Sequence, residues 1–330
     1  MKEIVYPKKL KKWDKIMVVA PARSSKILSQ ETVDRAIERL EALGLHVVLW
    51  KNIAECDQFL TSSVESRIED LHNAFRDPSI SWIFSVVGWF STNQILDYID
   101  YDLIRQNPKI VCWFSDITVL HNAILAKTWI VGYYWPHFSS WGIKYGFDYS
   151  IEYFKKCCME DRSFDINDSL EWSDDERYLD QEKRVFEKNE WSIILQEGDC
   201  YWRIIGWNIE CFCVLMWTPY LPKIQEDIIL FIEQDSEWNA PRFIRRLEQI
   251  LQSEYSKYIK WIVIGKFQKE NNVSIDQLKI IISNQKKIKW IPIIANVNFG
   301  HVMPIATFPI WWLWFLSAHN NKFKISILEH

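Results

Sequence analysis

The chain predicts an α/β protein of two domains: an N-terminal parallel sheet with helices on both faces, then a smaller C-terminal mixed α/β domain. Three observations carry this. Over the first 135 residues, short and continuously apolar runs alternate with amphipathic helical runs, the pattern of strands buried on both faces. From residue 191 onward, strand-like runs dominate, with one clear helix. The length of 330 residues is also about twice what a single core usually occupies.

In the first domain (1–155), IMVVA (16–20) reads as a buried strand and ETVDRAIERLEALG (31–44) as a helix closed by Gly44 as C-cap. HVVLW (46–50) is the next strand, and ESRIEDLHNAFRD (65–77) is a helix stopped by Pro78. SWIFSVV (81–87) and KIVCW (109–113) are strands, and ITVLHNAILAKT (117–128) is a helix. Residues 151–190 change character. SFDINDSLEWSDDERYLDQEKR is acidic and poor in aliphatics, so 156–190 reads as a linker and long loop, of a length that is often functional in compact enzymes. The second domain (191–330) follows with WSIILQEG, YWRIIGWN, DIILFIE, KWIVIG, KWIPIIAN and FKISILEH as strands and PRFIRRLEQILQSE (241–254) as the helix.

Bulk properties narrow the function. A net charge of −4 with 25% charged residues gives no basic excess for nucleic acid. No apolar run reaches the ~18 residues of a membrane span. The start, MKEIVYPKKLKKWDK, lacks the apolar stretch of a secretory signal and reads as unprocessed. The seven cysteines (Cys56, Cys112, Cys157, Cys158, Cys200, Cys211, Cys213) are odd in number and contain no C-x-x-C pair. They read as reduced thiols of a cytosolic protein. Cys211 and Cys213 lie in the apolar CFCVLM and read as core. No cluster has zinc spacing, so neither metal nor cofactor is expected.

The composition has one anomaly: 19 Trp against 9 Gly, where ordinary usage gives about 23 Gly at this length. The Trp residues stand at glycine-type places. Trp13 is in a turn before a strand, Trp89 follows Gly88 after IFSVV, Trp207 follows Gly206, and Trp311-Trp312 follow Pro309-Ile310. Such turns need positive φ or close backbone approach, which Gly supplies and Trp does not. Many of these Trp therefore read as glycines whose codons are UGA, a codon that some bacterial lineages translate as Gly. Trp172 is not among them, and the pattern does not decide Trp82, Trp141, Trp238, Trp290 or Trp314.

Five places carry candidate chemistry. KIVCW runs through Phe114-Ser115-Asp116 straight into a helix. A serine on such a turn sits at the sheet's carboxyl edge beside free backbone N–H groups, which suits a nucleophile, although Ser-Asp is also an ordinary helix N-cap. Gly88-Trp89-Phe90-Ser91 is a second turn at the same edge, able to expose N–H donors. Glu233 ends DIILFIE, a position open either to orienting a histidine or to solvent. Among the histidines, His301 alone follows a strand end next to a glycine, and His137 in WPHFSSWG is the next candidate.

Taken together, LKKWDKIMVVAP, SSVESRIEDLHNAFRDPSI, SVVGWFSTNQILDYIDYDLIRQNPKIVCWFSDITVLHNAILAKT, WPHFSSWG, RIIGWNIECFCVLMWTPYLP, ILFIEQDSE and ANVNFGHVMPIATFPIWW resemble the LD-carboxypeptidase family of serine peptidases. The resemblance spans nearly the whole chain and lies nearest the branch of microcin C self-immunity carboxypeptidases. Each stretch follows the family pattern when read with Gly at 13, 89, 113, 135, 207, 217, 311 and 312.

The resemblance implies a flavodoxin-like N-terminal sheet and a Ser-Glu-His triad spanning both domains. Ser115 is the nucleophile, Glu233 the acid and His301 the base, with the backbone N–H groups of Trp89 and Asp116 as the oxyanion hole. It also implies substrate contacts at Gly88, His137 and Trp172, and a cytoplasmic homodimer. Two substrates fit: the bond before the terminal D-Ala of a muropeptide, or the bond joining an aminoacyl or peptidyl group to a nucleotide. There are departures from the pattern. Trp113 and Trp89 stand beside the nucleophile and in the oxyanion turn, and Arg177 stands where the recognition loop calls for a second aromatic residue. If those Trp are literal, the alternative is a non-catalytic ligand-binding protein on the same fold. Sequencing the gene tests the glycine reading: UGA is expected at codons 89, 207 and 311, and UGG there overturns it.

Overall fold

The computed structural model describes residues 3–176 and 180–328, without the Trp113 side chain. The chain divides into two compact units. The first comprises Met1–Glu160, Trp217–Pro222 and Thr307–Pro309, and the second Asp161–Met216, Lys223–Ala306 and Ile310–His330.

In the first unit, β1 (Lys15–Val19), β2 (His46–Leu49), β3 (Ile80–Ser85), β4 (Ile110–Trp113) and β5 (Tyr133–Tyr134) form a parallel sheet in the order β2-β1-β3-β4-β5. This is the flavodoxin-like order, in which ligands gather outside the carboxyl ends of the strands. The helices between them are set by local chemistry. In α1 (Gln30–Ala42), the Ser29 side chain accepts from the Thr32 amide and Ala36 and Leu40 face inward. In α2 (Val64–Arg76), Ser63 caps the start and Leu71, Ala74 and Phe75 are buried. α3 (Tyr101–Gln106) precedes β4, and α4 (Thr118–Thr128) follows it almost at once. α4 is buried on nearly every side, so its run shows no amphipathic face. α5 (Phe138–Trp141) and α6 (Asp148–Cys158) complete the unit. The linker expected from residue 156 therefore begins inside a helix. Its buried face is Tyr153, Phe154, Cys157 and Cys158, so counting aliphatics misses it.

The second unit holds β6 (Phe164–Asp165), the pair β7 (Glu171–Trp172) and β8 (Glu187–Lys188), then β9 (Ile193–Gln196), β10 (Gly198–Asn208), β11 (Ile228–Glu233), β12 (Ile259–Gly265) and β13 (Ile293–Val297). The short β14 (Phe308–Pro309) belongs to the first sheet, antiparallel to β5. β15 (Leu313–His319) and β16 (Lys322–Ile327) complete a mixed sheet in the order β6-β16-β15-β10-β11-β12-β13-β9, parallel from β10 to β13. Its helices are α7 (Ile209–Val214), α8 (Ala240–Gln252) and α9 (Ile275–Ser283). α8 matches the expected helix and buries Phe243, Leu247, Ile250 and Leu251, one stripe at helical spacing. α9 was not expected. The sequence reading assigns its Ile-rich run to no element; Ser274 and Gln277 form the capping box that starts the helix. Among the described residues, no helix is long and apolar enough to cross a membrane.

Five tryptophans occupy the left-handed region: Trp13 (φ 78°), Trp129 (61°), Trp207 (93°), Trp217 (66°) and Trp311 (62°). Trp129 was not singled out from the sequence; it closes α4 at the C-cap, a glycine position. Trp89, Trp135 and Trp312 are not left-handed, so positive φ does not account for them. A non-glycine residue in this region costs roughly 1–2 kcal/mol. Trp207 and Trp311 are fully buried, so removing either ring leaves a void, whereas Trp13 and Trp217 are 72% and 83% exposed. Trp13→Gly and Trp217→Gly should each stabilise the protein by about 1 kcal/mol, since strain is relieved without a cavity. A lower melting temperature for both variants would refute the strain argument.

Candidate active site

In the first unit, β4 ends at Trp113 and the chain turns through Phe114 into Ser115, whose backbone is left-handed at φ 57°. A short 3-10 turn, Ser115–Ile117, then leads into α4. A serine held in this sparsely populated region between a parallel strand and a helix N-terminus is a strained turn of the nucleophile-elbow kind.

The turn after β3 lies against it. A Cβ on Gly88 would stand 3.0 Å from Ser115 Cβ, 3.2 Å from Ser115 Oγ and 3.0 Å from His137 Nε2. A side chain at this position would press on both residues. The Gly88 amide donates to His137 Nε2 at 2.8 Å, and His137 Nδ1 meets Ser85 Oγ at 2.9 Å. The Trp89 backbone N–H has no acceptor among the described residues. Its indole donates to the Phe59 carbonyl at 3.1 Å and lies under the Arg23 guanidinium. Asp116 is buried, and one of its carboxylate oxygens accepts from the Ser91 and Thr92 amides and the Thr92 hydroxyl. Burial pushes this carboxyl above the usual range, held back by those bonds and by Arg67.

In the second unit, Glu233 ends β11 and is 1% exposed. Its Oε2 lies 2.7 Å from His301 Nδ1. The carboxylate accepts, so Nδ1 carries the proton in this pair. Glu233 Oε1 is buried with no partner among the described residues. Two glycines make room for this pair. A Cβ on Gly265 would stand 2.6 Å from the Phe299 carbonyl and 3.0 Å from Glu233 Cβ. Gly300 has φ 112° and faces Glu233 and the Lys266 carbonyl.

Trp172, on β7, lines a cavity of about 520 Å³ with Glu190, Lys266, Lys269, Asn272 and Asn296. The two lysine ammonium groups lie 4.9 and 5.3 Å from its ring. Lys266 went unnoticed in the sequence, although a lysine directly after an apolar strand is a signal. It is buried, donates to the Glu190 carbonyl at 3.2 Å, and burial lowers its ammonium to about 8. Arg177 lies outside the described residues. The structure therefore groups Ser115, Gly88, His137 and Asp116 in the first unit and Glu233 with His301 in the second. No group of three or more His, Cys, Asp or Glu among the described residues is placed to hold a metal ion.

Two family models match the chain: the LD-carboxypeptidase N-terminal domain over residues 16–134 and the LD-carboxypeptidase C-terminal domain over residues 203–311. The putative carboxypeptidase YocD of Bacillus subtilis is 44% identical over 99% of this chain and 100% of its own length. Among solved structures, an MccF-like protein from Bacillus anthracis superposes with a TM-score of 0.96 at 42% identity, covering 99% of this chain and 100% of that one. The microcin C7 self-immunity protein MccF, solved with aspartyl sulfamoyl adenosine, shares the fold at a TM-score of 0.89 and 22% identity, covering 99% of both chains.

Gly265→Ala should destabilise the protein by about 2 kcal/mol, because the added methyl group would crowd the Phe299 carbonyl, the Phe299 ring and the Glu233 stem. Urea denaturation measures this, and an unchanged midpoint would show that the approach is not tight.

Proposed function

The chain belongs to the LD-carboxypeptidase family and is a serine-type carboxypeptidase, a hydrolase; on that premise we propose that Ser115, Glu233 and His301 are its catalytic triad. The observation that carries this is the buried Glu233–His301 hydrogen bond. It fixes the imidazole tautomer and stabilises the imidazolium when His301 takes a proton. In this reading, Ser115 Oγ attacks the amide carbon while His301 Nε2 accepts the hydroxyl proton. The oxyanion is met by the backbone N–H groups of Trp89 and Asp116. His301 then protonates the leaving amine, and water resolves the acyl-enzyme by the same steps. The left-handed turn at Ser115 supports its role, since it presents Oγ at the sheet edge.

The bond cleaved is an amide near a terminal carboxylate or its mimic. The cavity beside Trp172 favours an aminoacyl- or peptidyl-nucleotide, with the indole stacking on the base. The aspartyl sulfamoyl adenosine bound by MccF supports the same class. The family's LD-carboxypeptidase chemistry supports a second substrate, a muropeptide ending in D-Ala. A cytoplasmic homodimer fits the family pattern, and light scattering on the purified protein tests the dimer.

Ser115→Ala should abolish hydrolysis with the melting temperature unchanged, and near-wild-type turnover would exclude Ser115 as nucleophile. Trp172→Ala should raise KM for an aminoacyl-sulfamoyl adenosine by the equivalent of about 1–3 kcal/mol of lost stacking. It should leave a muropeptide substrate unaffected. Equal losses on both substrates would mean that Trp172 only packs the loop.

A further inference from the structure

The five residues from Gly88 to Thr92 form an irregular turn, yet both ends are tied to buried side chains. At the first end, the Gly88 amide donates to His137 Nε2 at 2.8 Å. A backbone N–H can only donate, so Nε2 accepts and the ring proton sits on Nδ1, facing Ser85 Oγ at 2.9 Å. His137 is thus a neutral imidazole with both nitrogens engaged, and it is 4% exposed. At the other end, Asp116 Oδ2 gathers the Ser91 amide at 3.1 Å, the Thr92 amide at 3.0 Å and the Thr92 hydroxyl at 2.6 Å. Arg67 holds the carbonyl side of the same end, donating to the Ser91 carbonyl at 3.1 Å and to Gln94 Oε1 at 2.8 Å. Between the two ties sits Trp89. Asp116 is the residue after Ser115, so its carboxylate couples the 88–92 turn directly to the serine turn.

We propose that His137 and Asp116 are positioning residues that clamp the Gly88–Thr92 turn at its two ends and so hold the Trp89 backbone N–H in place as an oxyanion donor. The inference rests on the reading of Ser115 as nucleophile and goes beyond it, assigning the two side chains that keep the donor preorganised. Preorganisation is where such a donor gains its effect: one aimed before the reaction needs no rearrangement as charge develops on the substrate oxygen. A turn tied at one end only would spread the N–H over many orientations. His137 then acts through Gly88 rather than on the substrate.

The test uses the full-length protein with an aminoacyl-sulfamoyl adenosine as substrate and a boronic acid analogue of the aminoacyl group as probe of the tetrahedral state. Asp116→Ala and His137→Phe should each lower kcat by roughly 10²-fold, the size of one lost oxyanion donor, with KM changed less than about twofold. Boronate affinity should fall in parallel with kcat. Asp116→Asn and His137→Gln keep an acceptor at the clamping atom and should recover most of the loss, which a merely structural role would not produce. Melting temperatures accompany each variant. If Asp116→Ala does not fold, Asp116→Asn and the His137 pair decide. Retained kcat in His137→Phe and Asp116→Ala, while Ser115→Ala is inactive, overturns the clamp and leaves the nucleophile standing. A rise in KM without loss of kcat, or equal losses in the conservative and disruptive variants, also overturns it. Turnover retained by Ser115→Ala overturns both readings.

Discussion

At four glycines near the carboxyl ends of the parallel strands the chain packs so closely that a Cβ would be crowded, and the candidate chemistry depends on that constraint. Gly88 lets one strand-end turn come within van der Waals contact of Ser115 and His137. Gly265 and Gly300 do the same around Glu233. At Gly206, a Cβ would meet the Phe231 carbonyl at 2.0 Å, so β10 and β11 run side by side only because that position is bare. Close backbone approach brings side chains from neighbouring strand ends within hydrogen-bonding distance, and glycine alone permits it.

Burial then fixes what those side chains can be. The Glu233 carboxylate is almost wholly removed from water; one oxygen meets the His301 imidazole, while the other has no partner among the described residues. A buried carboxylate held this way is costly to leave alone, so the pair is strongly coupled: removing His301 would strand a charge. Asp116 answers the same problem differently. Three donors converge on one of its oxygens, and hydrogen bonds within its own unit partly offset its burial.

The tryptophans give a second view of the glycine constraint. Five hold left-handed backbone, a conformation that Cβ-bearing residues avoid. The indole N–H groups of Trp135, Trp141 and Trp261 are buried with no acceptor among the described residues, although buried tryptophans usually find one. At Trp207 and Trp311 the ring also fills core volume; at Trp13 and Trp217 it lies mostly in solvent. The exposed pair therefore isolates the backbone cost.

Much of the architecture was legible in the residues. The alternation of apolar runs and helical stripes specifies the parallel sheet, because strands covered on both faces cannot alternate in polarity. Caps such as Ser29 and Ser63 mark helix starts within a residue or two. The strand-end places of Ser115, Glu233 and His301 follow from the same runs. What failed were elements whose local signal is weak or misleading: α6, buried through aromatics and cysteines, and α9, an Ile-rich run made helical by its capping box. Only the tertiary structure decided the 2.7 Å contact between Glu233 and His301, residues from two different strand ends. It alone showed the Asp116 bonds to the 88–92 turn and the tautomer of His137. Local sequence sets which residues stand at strand ends, since periodicity and caps act over a few neighbours. Which strand ends meet, and at what distance, depends on sheet order and backbone packing between segments far apart in the chain, and no local pattern encodes it.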